Sequence, residues 1–517
     1  MEQDALFSKD AFTGFTATPE QTAIVDAVAS GENTVVEALA GTGKTTTMRL
    51  AAEARRGRGL YIVFNKAAQE DAEKTFPKSC KVRTAHSLAH RAVAPTHGSK
   101  LPKGRVRPFP AREAVAAFGI EGFSFDKDRV MHPNTIASMA KSTVTRFCQS
   151  AHTELVTENV PWVKGLGPVD WRALAAHVLP YAQAMWKDIA HPEGVKVPVA
   201  HDHYLKIWAL TEPVLAADFV IVDECQDTNP VLEHVVVAQD TQLVAVGDRL
   251  QTLYGWRGTS NLFRRITGAR RLALTESWRF GPDIAREANI WLGLPVMDTD
   301  LRLTGRGGPS TVAALEEPDA ILCRTNAAAV LEVMAAIDAG TRVALVGGAT
   351  DIAALARAAI DLQDGRGTTH PELVAFPTWD ALRQYVDEED DSDLGVLVKL
   401  IDKHGAEAII TTADHLVPES RAQLTVSTAH KSKGRQWPRV KIGDDFRPPP
   451  LDENGKPKPI DAAEAMLAYV AVTRAERVLD RDGLEWIDDH RHGRPTAKQA
   501  AAHQRRGPRT AHQKELT

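Results

Sequence analysis

The chain has 517 residues, 43% of them hydrophobic and 25% charged, with a formal net charge of -5. At roughly 100–200 residues per domain that length holds several domains, and the balance excludes a disordered, fibrous or disulfide-scaffold chain. A slightly acidic whole excludes a uniformly basic coat, but a basic channel can still run through an acidic protein, so any nucleic-acid partner must be read from local motifs.

In chain order, Thr18-Pro19-Glu20-Gln21 opens an apolar helical pattern through Ile24, Val25 and Val28, with Pro19 suited to a first turn. Thr34-Val35-Val36-Glu37-Ala38 reads as a short strand, followed by a Gly-rich turn and a helix from Lys44. Leu60 to Phe64 reads as a second buried strand, and Lys66 to Phe76 as a helix. This alternation predicts a parallel sheet covered on both faces. Residues 88–217 break the pattern with Pro95, Pro102, Pro108 and Pro110, and carry helix-like stretches around Ala111–Phe118 and Trp171–Ile189. They read as a helical insertion, packed by Trp162, Trp171, Trp186 and Trp208.

Buried-strand signals return at Phe219 to Val222 and Leu243 to Val246, and a further unit opens near Arg271 with strands at Ala320 to Leu322 and Val343 to Val346. The acidic run Asp387 to Asp393 reads as a solvated loop or helix end. Arg447 to Pro459 reads as a loop, and 491–517 as a flexible basic tail. Cys80, Cys148, Cys225 and Cys323 form no CxxC pair, which argues for reduced thiols and against a zinc site. The acidic start MEQDALFSKD lacks a signal-peptide layout, and no apolar run is long enough for a bilayer. A soluble cytoplasmic protein, without membrane partners and a monomer or weak oligomer, is expected.

Chemistry concentrates first at Ala38-Leu39-Ala40-Gly41-Thr42-Gly43-Lys44-Thr45, a P-loop pattern with Ala in place of the first Gly. Small residues such as Ala40, Gly41, Thr42 and Gly43 let backbone N–H groups curl around phosphates at a helix N-terminus. Lys44 then reaches the β- and γ-phosphates of ATP, and the Thr45 hydroxyl ligates Mg²⁺. A chance Gly-rich turn would lack the second half, which is present: the apolar run Phe219 to Val222 ends in Asp223-Glu224. Carboxylates at the C-terminal edge of such a strand face the ligand crevice. Asp223 is placed to hold Mg²⁺ and Glu224 to orient and deprotonate the attacking water. Alone, an Asp-Glu pair is usually a solvated strand end; downstream of a P-loop it is specific.

Asp223-Glu224-Cys225-Gln226-Asp227 resembles the DExQD box of superfamily 1 helicases of the UvrD/Rep type. Other motifs follow in that family's order: Thr18-Pro19-Glu20-Gln21, Phe64-Asn65-Lys66-Ala67-Ala68, Thr84-Ala85-His86-Ser87, and Gly247-Asp248-Arg249-Leu250-Gln251 running on to Gly258. Ser277-Trp278-Arg279, Arg324-Thr325-Asn326, the segment Thr428 to Gly434, and the segment Tyr469 to Ala475 complete the set. The resemblance runs from Gln21 to Ala475, with a weaker likeness to the F-box DNA helicase branch and phage relatives. It implies an α/β fold of two RecA-like P-loop domains with parallel sheets. The first domain (1–87 and 218–270) would carry the helical insertion 88–217. The second (271–350 and 421–490) would carry a reduced insertion at 351–420.

The resemblance also implies roles for residues. Gln21 would read adenine and Trp278 stack on it, Gln251 would sense the γ-phosphate, and Arg279 and Arg474 would be arginine fingers brought in by closure on ATP. Such fingers are worth around 10³–10⁵ in rate in related NTPases. Phe64, Tyr254 and Trp256 are candidates to stack on single-stranded DNA; His86, Arg257, Arg324, Thr325, Asn326 and His430 are candidate backbone contacts. Three features depart from the family. Gln436 stands where a glutamate usually contacts the ribose, with Arg435 before it in place of an apolar residue, and Thr46 replaces a common arginine. The stretch between Asn326 and Thr425 is short for a full second insertion, and no room is expected after Arg474 for a fused nuclease.

The expected activity is ATP-dependent 3′-to-5′ unwinding by translocation on single-stranded DNA, in repair, recombination or replication. Partners would be single-stranded and partially duplex DNA together with loading or recombination proteins. A translocase that strips bound proteins with little unwinding, and a nucleotide-switched DNA-binding module, remain as alternatives. Lys44, Glu224, Arg279 and Arg474 weigh against the pure switch, which has little need of them.

Overall fold

A computed structural model describes residues 16–104, 106–127, 129–163, 166–252, 262–368, 370, 373, 376, 378–389 and 392–506. Contacts divide the chain into two compact units, Met1–Ala38 with Gly43–Leu274 and Leu39–Thr42 with Thr275–Thr517.

The first unit is built on six strands: β1 (Thr34–Ala38), β2 (Gly59–Val63), β3 (Cys80–Thr84), β4 (Phe219–Val222), β5 (Gln242–Gly247) and β6 (Arg270–Leu274). They lie in the order β3-β2-β4-β5-β1-β6 with every pairing parallel. β2, β4 and β5 are buried along their whole length, which is why their sequences are near-continuous apolar runs rather than alternations. Helices α1 (Pro19–Ala29), α2 (Lys44–Ala54) and α3 (Lys66–Glu73) precede the insertion, and α4 (Ala85–His97) runs across its expected start at residue 88. The insertion itself supplies α5 (Ala111–Phe118), α6 (Pro133–Cys148), α7 (Pro168–Ala190) and α8 (His201–Ala209), with a small antiparallel ribbon of Phe123–Ser124 and Val130–Met131. α9 (Pro230–Val237) and α10 (Leu262–Arg265) follow.

Because successive strand residues point to opposite faces, the sheet feeds two cores. Val36, Tyr61, Phe219, Ile221 and Val244 pack with Ile24, Val28, Met48 and Ala51 of α1 and α2. Val35, Ile62, Val220, Val222 and Ala245 pack instead into a cluster that includes Ile136, Phe147, Val178 and Trp208 of the insertion. The insertion therefore shares its core with one face of the sheet. Trp186 packs edge-on to Phe147, whereas Trp162, expected to be a packing residue, lies tilted against Trp171 with 53% of its surface exposed.

In the second unit, Glu276–Ser277 and Thr304–Gly305 form a short parallel pair. The main sheet comprises β7 (Thr311–Val312), β8 (Ala320–Cys323), β9 (Val343–Leu345), β10 (Leu424–Thr428), β11 (Trp437–Ile442) and β12 (Ala475–Asp480). Its order is β7-β12-β11-β8-β10-β9, again all parallel. Helices α11 (Pro282–Leu292) and α12 (Asn326–Asp338) lead to four helices: α13 (Ala349–Gln363), α14 (Trp379–Glu389), α15 (Ser392–His404) and α16 (Ala406–Asp414). These four pack their own apolar cluster, with Leu355, Leu362, Trp379, Leu382, Leu397 and Ile409 against Ala327 and Val330 of α12. α17 (Ala462–Val472), α18 (Ile487–Arg491) and α19 (Ala497–Arg506) close the described chain.

Two further boundaries differ from expectation. Residues 271–274 do not open the second unit: they pair with β1 and set Leu274 into the first core, because Leu272 and Leu274 alternate toward it. Residues 497–506, expected as part of a flexible tail, are helical, and Gln499 Nε2 donates to the Pro449 carbonyl at 2.7 Å. The remaining 507–517 lie outside the described residues. All four cysteines are buried free thiols. Among the described residues no helix is long and apolar enough to cross a membrane.

Candidate nucleotide and nucleic-acid sites

In the first unit β5 lies between β1 and β4, so the C-terminal ends of three neighbouring strands open onto one place. β1 runs into the P-loop, in which Gly41 and Gly43 take φ of +74° and +77°, a region that glycine enters without the Cβ cost. Thr42 Oγ1 donates to the Leu39 carbonyl at 2.8 Å, and Gly43 is the N-cap of α2, so Lys44 and Thr45 begin a helix whose free N–H groups favour anions. β4 delivers Asp223 and Glu224, and β5 delivers Asp248. Lys44 Nζ lies 3.0 Å from Glu224 Oε1. Burial works against the Lys44 charge, but Glu224, Asp223 and Asp248 outweigh it and hold the pKa above the usual lysine value. Burial and the adjacent Glu224 push Asp223 up to about 6. Among the described residues no group of three His, Cys, Asp or Glu side chains is placed to hold a metal ion by itself, though Mg²⁺ needs few protein ligands when phosphates and waters supply the rest.

Several partners of this cluster were not singled out by sequence. Tyr61, in the middle of β2, donates its hydroxyl to Asp223 Oδ2, one of the two expected Mg²⁺ ligands, at 2.5 Å. Gln226 donates to Glu224 Oε2 at 2.5 Å while its Oε1 accepts from the Asp248 N–H at 3.0 Å. Asp248 in turn accepts from Gln251 Nε2 at 2.5 Å. Glu224 itself sits at φ +45°, a left-handed conformation that costs a non-glycine residue energy and concentrates at functional turns. A tyrosine inside an aliphatic strand was the available signal for Tyr61. The other bonds depend on strand order. Gln21 is buried, its Oε1 accepting from the Thr18 N–H at 3.0 Å and its Nε2 donating to Thr47 Oγ1 at 3.2 Å. Its amide thus joins the start of α1 to α2.

In the second unit Arg279 Nε donates to Gln436 Oε1 at 2.7 Å and its Nη1 to the Thr473 carbonyl at 2.9 Å. Trp278 beside it is 49% exposed. Arg474 is 1% exposed; its Nε donates to the Val470 carbonyl at 2.9 Å and its Nη1 to the Arg435 carbonyl at 3.2 Å. Gln436 immediately precedes β11 and Arg474 immediately precedes β12, so these residues gather at the N-terminal edge of the sheet.

The expected DNA contacts of this unit occupy the opposite edge. Arg324, Thr325 and Asn326 follow β8 and begin α12, and His430 follows β10. Asp445 accepts from the N–H groups of Arg324 and Thr325 and from the Thr325 hydroxyl, at 2.8–3.0 Å, fixing the turn. Arg324 makes a bidentate pair with Glu464 of α17 at 2.8 and 2.6 Å. α17 therefore runs from the edge bearing Arg324 to the edge bearing Arg474. In the first unit Phe64, 56% exposed, leaves the end of β2, and His86 Nε2 lies 3.3 Å from Asp202 Oδ1 of α8. Tyr254, Trp256 and Arg257 lie outside the described residues.

Residues 21–257 match a family model described as an AAA domain. F-box DNA helicase protein 1 of Schizosaccharomyces pombe is 29% identical over 513 residues, covering 89% of this chain and 57% of that protein. F-box DNA helicase 1 of Gallus gallus is 26% identical over 495 residues, covering 87% of this chain and 47% of that one. The chain thus spans about half the length of the curated relatives it matches. Among solved structures, the arterivirus non-structural protein 10 helicase aligns with 90% of this chain and 63% of that one, at 13% identity and a TM-score of 0.32.

Proposed function

We propose that this chain, a superfamily 1 helicase of the UvrD type in the F-box DNA helicase branch, is an ATP-hydrolysing motor that translocates 3′-to-5′ on single-stranded DNA and unwinds duplex. The observation that carries the reading is the cluster of Lys44, Asp223, Glu224 and Asp248 at the C-terminal ends of β1, β4 and β5, with Lys44 and Glu224 at 3.0 Å. A salt bridge between a P-loop lysine and a neighbouring glutamate is a resting arrangement. When phosphates take the lysine, the glutamate is released to accept a proton from water.

The roles follow. P-loop amides from Ala40 to Thr45 and Lys44 hold the phosphates; Thr45 and Asp223, the latter braced by Tyr61, would hold Mg²⁺, which neutralises charge developing on the phosphoryl oxygens. Glu224 orients water, and Gln251 reports the γ-phosphate through Asp248. Arg279 and Arg474 act as arginine fingers, Trp278 stacks on the base, Gln21 reads the adenine edge, and Gln436 meets the ribose. Phe64 supplies a stacking platform for DNA, joined by Tyr254 and Trp256. His86, Arg257, Arg324, Asn326 and His430 contact its backbone. The likeness to fungal and avian F-box DNA helicases supports the DNA substrate. Repair, recombination or replication, with loading proteins as partners, is the setting such an activity serves.

The test is ATPase rate with and without single-stranded DNA, paired with unwinding of 3′-tailed and 5′-tailed duplexes. DNA-stimulated hydrolysis with unwinding of only the 3′-tailed substrate is expected. Stimulation without unwinding would reassign the chain to translocation alone. No stimulation would defeat the DNA-motor reading.

A further inference from the structure

Gln436 is the departure from the family pattern that bears most directly on chemistry, and its surroundings give it a specific task. Its amide is held from both ends: Oε1 accepts from Arg279 Nε at 2.7 Å, and Nε2 donates to Glu476 Oε1 at 2.7 Å. The orientation of the amide is forced, because a guanidinium can only donate and an ionised carboxylate can only accept. Backbone register makes this meeting. Gln436 immediately precedes β11, Glu476 is the second residue of β12, and the two strands pair in parallel with Trp437 opposite Ala475. Arg279 has a second anchor in the Thr473 carbonyl at 2.9 Å, just before the same strand.

We propose that Glu476 is a positioning residue for Arg279, acting through Gln436. The carboxylate that the family carries at position 436 is here provided by the neighbouring strand, and a neutral amide relays it. A glutamate at 436 would place a second carboxylate at hydrogen-bond distance from Glu476, where like charges repel. Glutamine converts that repulsion into a bond. A carboxylate on its N–H₂ end polarises the amide and strengthens the acceptor offered to Arg279, which fixes the plane of the guanidinium and the direction of its N–H groups. The inference rests on the proposed role of Arg279 at the transferring phosphoryl group.

The experiment is steady-state ATPase of the full chain with saturating single-stranded DNA, from about pH 5.5 to 9, a span bracketing perturbed carboxyl and histidine pKa values. The variants are Arg279→Ala, Glu476→Gln, Gln436→Glu and the swap Gln436→Glu with Glu476→Gln. Glu476→Gln is expected to lower kcat by about 5- to 20-fold with little change in KM for ATP, the signature of an interaction felt in the transition state. Gln436→Glu is expected to lower kcat and add an acidic limb to the pH profile as the two carboxyls share a proton. The swap restores one acid and one amide and should recover kcat to within about threefold of the parent and remove the added limb. Wild-type kcat in Glu476→Gln, beside a disabled Arg279→Ala, would overturn the relay and leave the finger standing. So would a swap no better than the worse single variant. A fully active Arg279→Ala would overturn the finger role and the relay with it.

Discussion

Lys44 faces Asp223, Glu224 and Asp248, and its charge is held by their combined field against the cost of burial. Removing one member of a buried pair leaves the others uncompensated, which typically costs several kcal/mol. Lys44→Met is therefore expected to abolish hydrolysis and to lower nucleotide-free stability by about 3 kcal/mol, read from urea midpoints, while single-stranded DNA affinity changes little. A second residue-scale effect concerns His203 of α8, which burial depresses from 6.5 to about 4. Its Nδ1 accepts from the Ala200 N–H at 3.0 Å and can do so only unprotonated. The folded state keeps this ring neutral, whereas the unfolded chain takes up a proton below about 6.5. Its contribution is thus present above pH 6.5 and declines as pH falls toward 4. The loss should be about 2 kcal/mol after allowance for partial exposure. His203→Asn should flatten this acid slope; an unchanged slope would locate the titration elsewhere.

At the scale of elements, the ends of β4 and β5 are joined through Gln226. A Cβ on Gly247, the last residue of β5, would lie 2.0 Å from Gln226 Oε1 and 3.0 Å from the Cys225 N. Gly247→Ala must therefore displace the glutamine that holds Glu224. It should cost about 1–3 kcal/mol through overpacking and lower kcat by at least tenfold; wild-type kcat would mean that Gln226 does not set the Glu224 geometry. α17 offers a different lever. Glu464 occupies the fork of Arg324, so Glu464→Gln removes a competitor for DNA phosphate. Tighter single-stranded DNA binding is expected, with a salt dependence steeper by up to about one counterion. Unchanged affinity and slope would argue against Arg324 as a phosphate contact.

For the whole molecule, each unit has its own six-stranded parallel sheet and its own apolar clusters. Equilibrium unfolding of a chain so divided is expected to depart from two-state behaviour, with near-UV and far-UV signals following different urea curves; superimposable curves would refute this. Mg-ATP should raise the midpoint of the transition in which the first sheet melts, by mass action on the folded state.

The ordered motifs from Gln21 to Ala475, the parallel α/β pattern and the helical insertion were legible in the sequence because each is local. A P-loop needs small residues before a helix, and a strand buried on both faces needs a continuous apolar run. Strand order is not local. Setting β5 between β1 and β4 is what assembled Asp248 and Gln226 around Lys44 and Glu224, and the alignment of β2 with β4 brought Tyr61 to Asp223. The register of β11 with β12 likewise brought Glu476 to Gln436, and α17 joined the edge bearing Arg324 to the edge bearing Arg474. Sequence by itself singled out candidate residues for chemistry, through the spacing that a strand or helix imposes on its neighbours. Only tertiary structure decided which of them share a charge or a proton, because that depends on the order in which distant strands hydrogen-bond.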